Sequence, residues 1–385
     1  MTGVFSWAPG RTEIAGNHTD HQGGRVIAAA LDCQVRMELH AEAGNCVHLV
    51  SDGFAPAVID LDDTTPVVGE QLTTTALVRG VVSGLRAAGV AVEGFSARVE
   101  SDVPIGGGLS SSAAFELALA SGLDLLFGGS LTPLELALVG QAAERDWFGK
   151  PCGLMDQLAC ALGGTNLFDF GACSRMDEDT SSIAMPQVER IPFDLRACDH
   201  ALCLIDTKCD HSAYTDEYAR VAADMSDVAS FMGASVLSQV PEEALLDRIG
   251  AIRAALGDLP ALRALHYFNE MRLVDERVRA LRANDFAAFL DATRQSGASS
   301  AQFLQNVSTF DRREQPAMVA LALATCLLAG KGAARIHGGG FGGSIQAFVP
   351  LDDVAWFSEA IDAHLGAGSC KVYEAGVGGA GVQWR

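Results

Sequence analysis

The string Pro104-Ile105-Gly106-Gly107-Gly108-Leu109-Ser110-Ser111-Ser112-Ala113-Ala114 runs directly into a helix-forming stretch, Phe115 to Leu126. Glycines let a backbone approach an anion closely, and the free N–H groups at a helix start, with the helix dipole behind them, favour phosphate. The string reads as a phosphate cradle, though not a Walker A loop, since it lacks the Gly-Lys-Ser/Thr ending; the consecutive serines also read as plain helix N-caps. Two carboxylates follow it, Glu144 and Asp156, the second within Cys152-Gly153-Leu154-Met155-Asp156-Gln157. They cannot be neighbours on one continuous helix, but Gly149 and Pro151 break the helix between them and can return both to one site. One carboxylate to hold magnesium and one to face an acceptor hydroxyl, beside a phosphate cradle, are the parts that phosphoryl transfer requires.

Two further glycine-rich stations bracket these residues. The first is Pro9-Gly10-Arg11 followed by Gly16-Asn17-His18-Thr19-Asp20-His21-Gln22-Gly23-Gly24. Carboxylate and amide groups converging in a tight loop suit a small ligand rich in hydroxyls, because each accepts from or donates to paired hydroxyls. Taken by itself the string also reads as a surface turn. The other station is Gly338-Gly339-Gly340-Phe341-Gly342-Gly343, which invites a dinucleotide-fold reading. That reading fails because a strand-like stretch, Ser344 to Val349, follows where a helix is needed. Gly339, Gly340, Phe341 and Gly342 then form either a loop beside the active site or a structural turn.

The elements that must position these stations are mixed. Arg25 to Val35, Ala91 to Val99 and Ala201 to Ile205 read as strands, and Leu72 to Ala88, Ser111 to Leu126, Pro133 to Phe148 and Glu243 to Leu256 as helices. An α/β chain of 385 residues suggests about two domains. The pattern loosens between Phe168 and Pro192, around Asp177, Glu178, Asp179, Thr180, Ser181 and Ser182, which places a boundary near 188 and gives domains 1–188 and 189–385.

Composition removes several classes of function. With 27 Lys+Arg against 48 Asp+Glu the chain carries a formal charge of −21, which argues against binding nucleic acid or anionic membranes. Half the residues (49%) are apolar and 19% are charged, enough for a large core. The run from Met318 to Gly330 is shorter than the ~20 residues a membrane span needs. The first residues lack the basic flank and apolar stretch of a secretory signal. Ten scattered cysteines without a Cys-x-x-Cys pair read as reduced thiols, and the expected location is the cytoplasm. No sequence feature sets the oligomeric state, and a monomer is compatible with the charge.

Taken together and in this order, the motifs from Ala8 to Gly343 resemble the superfamily of galactokinase, homoserine kinase, mevalonate kinase and phosphomevalonate kinase (the GHMP kinases), and within it the galactokinase family. The resemblance implies a two-domain α/β kinase with mixed sheets and the active site in the interdomain cleft. It implies that Gly106, Gly107, Gly108, Leu109, Ser110, Ser111 and Ser112 cradle the phosphates of ATP, and that Ser112 and Glu144 bind Mg2+. Asp156 is then the general base or electrostatic orienter at the anomeric hydroxyl, with Arg11 beside it. Asn17, His18, Asp20, Gly153 and Tyr218 match sugar-binding positions, and the Leu72 to Ala88 helix supplies part of the adenine pocket. The implied reaction is ATP plus sugar giving sugar 1-phosphate plus ADP, with galactose the first expectation.

The chain also departs from the family pattern. Asn17 stands where the family has a Glu that contacts the sugar C6 hydroxyl, so a C6 carboxylate would no longer be repelled, and galacturonate becomes an alternative acceptor with Lys208 as its candidate partner. Thr12-Glu13 replaces the common Val-Asn, Asp210 before His211 replaces an Arg, and His337 replaces a Thr. A different class of function, a non-catalytic sugar and ATP sensor, is weighed against by the intact Ser110 to Ala114 string and by the presence of Glu144 and Asp156.

Overall fold

The computed structural model describes residues 3–150, 152–171, 185–209, 214–309, 311 and 313–385. The acidic segment 177–179 with its neighbours 180–182, Pro151, and the Asp210-His211 pair lie outside the described residues.

Among the described residues, seven strands occupy the first half of the chain: β1 (Val4–Ala15), β2 (Arg25–Ala41), β3 (Cys46–Ser51), β4 (Ala57–Asp60), β5 (Phe95–Ser101), β6 (Thr165–Asp169) and β7 (Gln187–Arg190). The second half holds β8 (His200–Asp206), β9 (Ala333–His337), β10 (Ser344–Pro350), β11 (Cys370–Tyr373) and β12 (Gly381–Trp384). One sheet has the order β12-β1-β2-β5-β3-β4, with β6 and β7 branching from β2; the other has the order β11-β8-β10-β9. β3 and β5 run parallel and the other pairs antiparallel, so the first sheet is mixed. The boundary expected near 188 falls inside β7, and β12 crosses back to pair with β1.

Four helices accompany the first sheet: α1 (Thr74–Ala87), α2 (Ser111–Leu126), α3 (Pro133–Ala142) and α4 (Met155–Leu162). Six follow: α5 (Thr215–Phe231), α6 (Glu242–Leu256), α7 (Asp258–Arg282), α8 (Phe286–Ser299), α9 (Pro316–Leu328) and α10 (Val354–Leu365). α1 starts two residues later than its periodicity suggests, because Leu72 takes a left-handed φ of 61° and Thr73 caps the helix by accepting from the Ala76 N–H. α3 has Pro133 in its first turn and a reciprocal Thr132/Glu135 capping box.

Burial along β2 shows where the two lobes meet. In its second half Cys33, Val35, Met37 and Leu39 are buried and alternate with partly exposed residues, as expected of a sheet covered on one face. From Val26 to Leu31 every residue is buried, and the small Ala28, Ala29 and Ala30 admit close neighbours on both faces. α2 is buried from Ala113 to Asp124 and runs behind the sheet as an all-round apolar helix. The same apolar cluster takes in Val274 and Val278 of α7, Phe289 and Leu290 of α8, and Phe348 of β10. One face of the second sheet therefore joins the core of the first, while its other face packs a separate cluster around Ile205, Ile336 and Ile345.

Candidate active site

β1 brings Arg11 to the phosphate string by bending. Its pairing with β2 slips between Pro9 and Arg11 and again between Glu13 and Ala15. A Cβ on Gly10 would lie 3.1 Å from both Cys33 Sγ and the Leu109 carbonyl oxygen, so glycine lets the strand press on the loop. The Arg11 N–H donates to that Leu109 carbonyl at 3.1 Å. Its side chain then grips Asp156 with both prongs, Nε to Oδ1 at 2.7 Å and Nη2 to Oδ2 at 2.8 Å, while Nη1 donates to the Gly108 carbonyl at 2.6 Å. Ser110, held at a left-handed φ of 57° where α2 begins, donates its hydroxyl to the same carboxylate. Burial alone would raise the Asp156 pKa, but the Arg11 charge and hydrogen bonds, with help from Lys150 and Ser110, bring it down to about 2.

Glu144 reaches the loop from the other side. The single helix expected over 133–148 is α3 followed by one wider π-type turn, Ala143–Phe148, ended by Gly149 at φ 83°. This turn directs Glu144, which is fully buried, at the first turn of α2. Its Oε1 accepts from Ser112 Oγ at 2.8 Å and from Lys150 Nζ at 2.9 Å, and its Oε2 from Gln157 Nε2 at 2.7 Å. Gln157 also donates to Glu116 at 3.0 Å. Burial, reinforced by the Glu144 charge, raises the Glu116 pKa well above the usual carboxyl range. Ser112 and Glu144 thus present hard oxygen donors at the mouth of the phosphate string. Among the described residues there is no group of three or more His, Cys, Asp or Glu placed to hold a metal, so a cation here would complete its shell with phosphate oxygens and water.

The first station folds into a pocket wall. Thr19 Oγ1 donates to the carbonyls of Gly16 and Arg25, and Asp20–Gln22 forms one turn closed by Gly23 at φ 68°. A Cβ on Gly153 would lie 2.0 Å from Asp20 Oδ2, so only glycine there admits the Asp20 carboxylate. His18 packs on the Tyr218 ring at 5.3 Å and on the His21 ring at 5.7 Å. Burial, with the His21 ring adding to it, lowers the His18 pKa to about 3, and burial lowers that of His21 to about 4. Both rings are neutral, and His18 Nε2–H donates to the Gly339 carbonyl at 3.0 Å. Burial and then the nearby charge of Asp156 push Asp20 up to about 6. Asp20, His18, Gly153, Tyr218, Arg11 and Asp156 therefore come together, next to Gly106–Ser112 and Glu144.

Asn17 and the third station lie behind this wall. Asn17 is fully buried; its Nδ2 donates to Gly338 O at 2.6 Å and Glu13 Oε1 at 3.4 Å, and its Oδ1 accepts from Asn306 at 2.9 Å and Ser300 at 3.2 Å. Its amide has no hydrogen or lone pair left for the sugar C6 position expected of it. Gly339 and Gly340 serve close packing: a Cβ on Gly339 would lie 2.5 Å from the Tyr218 ring, and one on Gly340 2.2 Å from the Asn306 carbonyl. Phe341 is buried among α5, α6 and α7, and Gly342 lies against Cys209. This loop buttresses the first station. Lys208, expected as a carboxylate partner, pairs with Asp206 at 3.1 Å on the surface. Lys150 and Gln157 were not singled out in the sequence, although Lys150 sits between the Gly149 and Pro151 that mark the break.

Residues 76–164 match the GHMP kinases N terminal domain, and residues 2–39 match the galactokinase galactose-binding signature. The chain is 33% identical over 349 residues to a galactokinase of Mycobacterium tuberculosis, covering 90% of this chain and 88% of that one. It is 33% identical over 383 residues to a galactokinase of Streptomyces coelicolor, covering 97% and 92%. The crystal structure of Lactococcus lactis galactokinase complexed with galactose superposes with a TM-score of 0.83 at 25% identity, covering 98% of this chain and 95% of that chain. The mevalonate kinase of L. major shares the fold alone, with a TM-score of 0.61 at 17% identity over 95% and 94% of the two chains. On identity of 33% that runs nearly end to end, the chain belongs to the galactokinase family of GHMP kinases and is a sugar kinase.

Proposed function

We propose that the protein transfers the γ-phosphoryl group of ATP to the anomeric hydroxyl of galactose, giving galactose 1-phosphate and ADP. The observation that carries this reading is the Arg11–Asp156–Ser110 cluster, which has the phosphate string on one side and the Asp20, His18 and Tyr218 wall on the other. ATP phosphates lie along Gly106–Ser112, and the sugar lies against Asp20, His18, Gly153 and Tyr218. Ser112 and Glu144 are the residues that would hold Mg2+, which would neutralise charge on the phosphates when bound.

A carboxylate whose pKa sits at about 2 is a poor base toward a sugar hydroxyl. Asp156 therefore accepts a hydrogen bond that aims the hydroxyl oxygen at phosphorus, and takes its proton only as the new P–O bond forms. A loose transition state, with little nucleophile bonding, allows that timing. Arg11, kept charged by Asp156, faces the charge that develops on the transferring group.

Galactose is favoured over galacturonate because Asn17, whose change from the family Glu raised the alternative, spends its amide on protein groups. The whole reads as a cytoplasmic enzyme dependent on ATP and Mg2+. Separately, among the described residues no helix is long and apolar enough to cross a membrane. Turnover with ATP and Mg2+ on galactose, galacturonate, glucuronate, N-acetylgalactosamine and arabinose at equal concentrations tests the assignment. Galactose is expected to have the highest kcat/KM; a higher value for galacturonate overturns it.

A further inference from the structure

Residues at which this chain departs from the galactokinase pattern touch one another. Thr12 Oγ1 lies 3.0 Å from His337 Nε2, the Glu13 N–H reaches the same nitrogen at 3.3 Å, and Asn17 Nδ2 lies 3.4 Å from Glu13 Oε1. Thr12 and Glu13 are on β1 of the first sheet; His337 ends β9 of the second.

The direction of each hydrogen bond follows from what each group can do. A backbone N–H only donates, so His337 Nε2 accepts and the ring proton is on Nδ1. Nδ1–H then donates to Ser344 Oγ at 2.9 Å, and the Ser344 hydroxyl donates to the Gly107 carbonyl at 3.0 Å. Upstream, Arg335 Nε donates to Gln346 Oε1 at 3.2 Å, and Gln346 Nε2 donates to Thr12 Oγ1 at 2.8 Å, so the Thr12 hydroxyl proton turns to the His337 Nε2 lone pair, which it shares with the Glu13 N–H. Every link is oriented one way, from Arg335 to the phosphate string. Arg335 and His337 are fully buried, and Ser344 is nearly so. In such surroundings a one-way chain is polarised cooperatively.

The chain ends on a peptide that matters. In a trans peptide the C=O and the following N–H point to opposite sides, so a bond holding the Gly107 carbonyl fixes the direction of the Gly108 N–H. Arg11 does the same for the next two peptides, with Nη1 on the Gly108 carbonyl and its backbone N–H on the Leu109 carbonyl. Three consecutive carbonyls are thus held from behind, and the N–H groups of Gly108, Leu109 and Ser110 are turned away from those holds.

We propose that His337 and Ser344 are positioning residues of the phosphate string, aiming the Gly108 N–H at an ATP phosphate through the Gly107 carbonyl. This rests on the reading of Gly106–Ser112 as the site of the ATP phosphates. The second lobe then tunes nucleotide affinity without touching the nucleotide.

The test is ATP affinity by calorimetry in Mg2+ buffer for wild type, S344A, H337A, H337N and S344A/H337A, with thermal unfolding and with KM values for ATP and galactose. Losing one buried link is expected to raise Kd for ATP about tenfold in S344A and in H337A. The double variant should fall within about twofold of the single ones, since both cut the same chain, and the galactose KM should also stay within about twofold. H337N retains a donor near the Nδ1 position and should recover most of the affinity. S344A removes one oxygen, so it serves if H337A does not fold. An unchanged Kd in S344A, additive losses in the double variant, or equal losses for ATP and galactose would each overturn the proposal. A wild-type protein that binds ATP but phosphorylates no sugar sinks the proposed function and leaves these comparisons standing; one that fails to bind ATP sinks both.

Discussion

Asp156 and Asp20 are both half-buried in one site, yet their surroundings drive them in opposite directions. Asp156 meets a bidentate arginine and a serine hydroxyl, and its pKa falls to about 2. Asp20 sits among neutral rings and a glycine, feels the Asp156 charge, and rises to about 6. The phosphate side of the site is built from charges paired in advance, which suits a reaction in which charge moves. On the sugar side the two histidine rings are neutral and Asp20 is a carboxylate without a cationic partner, a strong acceptor for hydroxyl hydrogens. Burial is common to both, so the difference teaches that the partner, not depth, sets the role of each carboxylate.

The contrast can be tested at each aspartate in turn. Asp156→Asn keeps the shape and removes the charge that orients the hydroxyl and pairs Arg11, so kcat should fall by about 10³-fold or more, measured at saturating ATP and sugar. A kcat within about tenfold of wild type would take Asp156 out of the chemical step. For Asp20 the effect is on sugar affinity. As pH falls through about 6 the carboxylate gains a proton and loses an acceptor, so the sugar KM should rise about tenfold per pH unit below that point. Asp20→Asn should have a raised but pH-independent KM.

The same two residues should move stability in opposite senses. A carboxyl group with a raised folded pKa is penalised above about 6 and not below its unfolded value of 3.8. Asp20→Asn should therefore stabilise the fold at pH 7 by on the order of 2 kcal/mol, because the side chain keeps some solvent contact, and the gain should vanish near pH 4. Asp156 has the reverse sign: its contribution is full above about 4 and is lost as pH falls toward about 2, so Asp156→Asn should lower Tm at neutral pH. Melting curves of each variant at pH 7 and pH 4 separate the two: the Asp20→Asn gain disappears at pH 4, whereas the Asp156→Asn loss persists there.

The smallest effect is expected at the proposed Mg2+ position. Glu144→Gln keeps the Ser112 and Lys150 contacts possible but removes the charge, and should raise the Mg2+ concentration for half-maximal activity about tenfold. An unchanged Mg2+ dependence would remove Glu144 from the metal site.

The phosphate string and its helix are legible in the sequence because glycines, serines and a long apolar stretch agree on one local structure; α2 begins at Ser111 as expected. Gly153 and Asp20 are legible as types but not as a pair, since their contact is a steric fit between distant segments. Asn17 is misleading. Its position in a polar string suggests a ligand contact, while its partners come from Ser300, Asn306 and Gly338, which no local pattern connects to it. The same holds for His337, whose role depends on Thr12 and Ser344 facing it across two sheets. The π-type turn is hidden because helical periodicity over Pro133 to Phe148 does not report one extra residue in a turn.

The apolar cluster shared between the sheets has a mechanical consequence. Phe348 of β10 and Phe289 of α8 pack in the same core as Val26 and Phe168 of the first sheet. Swinging the lobes apart as rigid halves would pull this core open to water, at a cost that grows with the apolar area exposed. The part of the second sheet that shares this core, Leu202, Leu204 and Phe348, is therefore expected to melt together with the first sheet, in one transition.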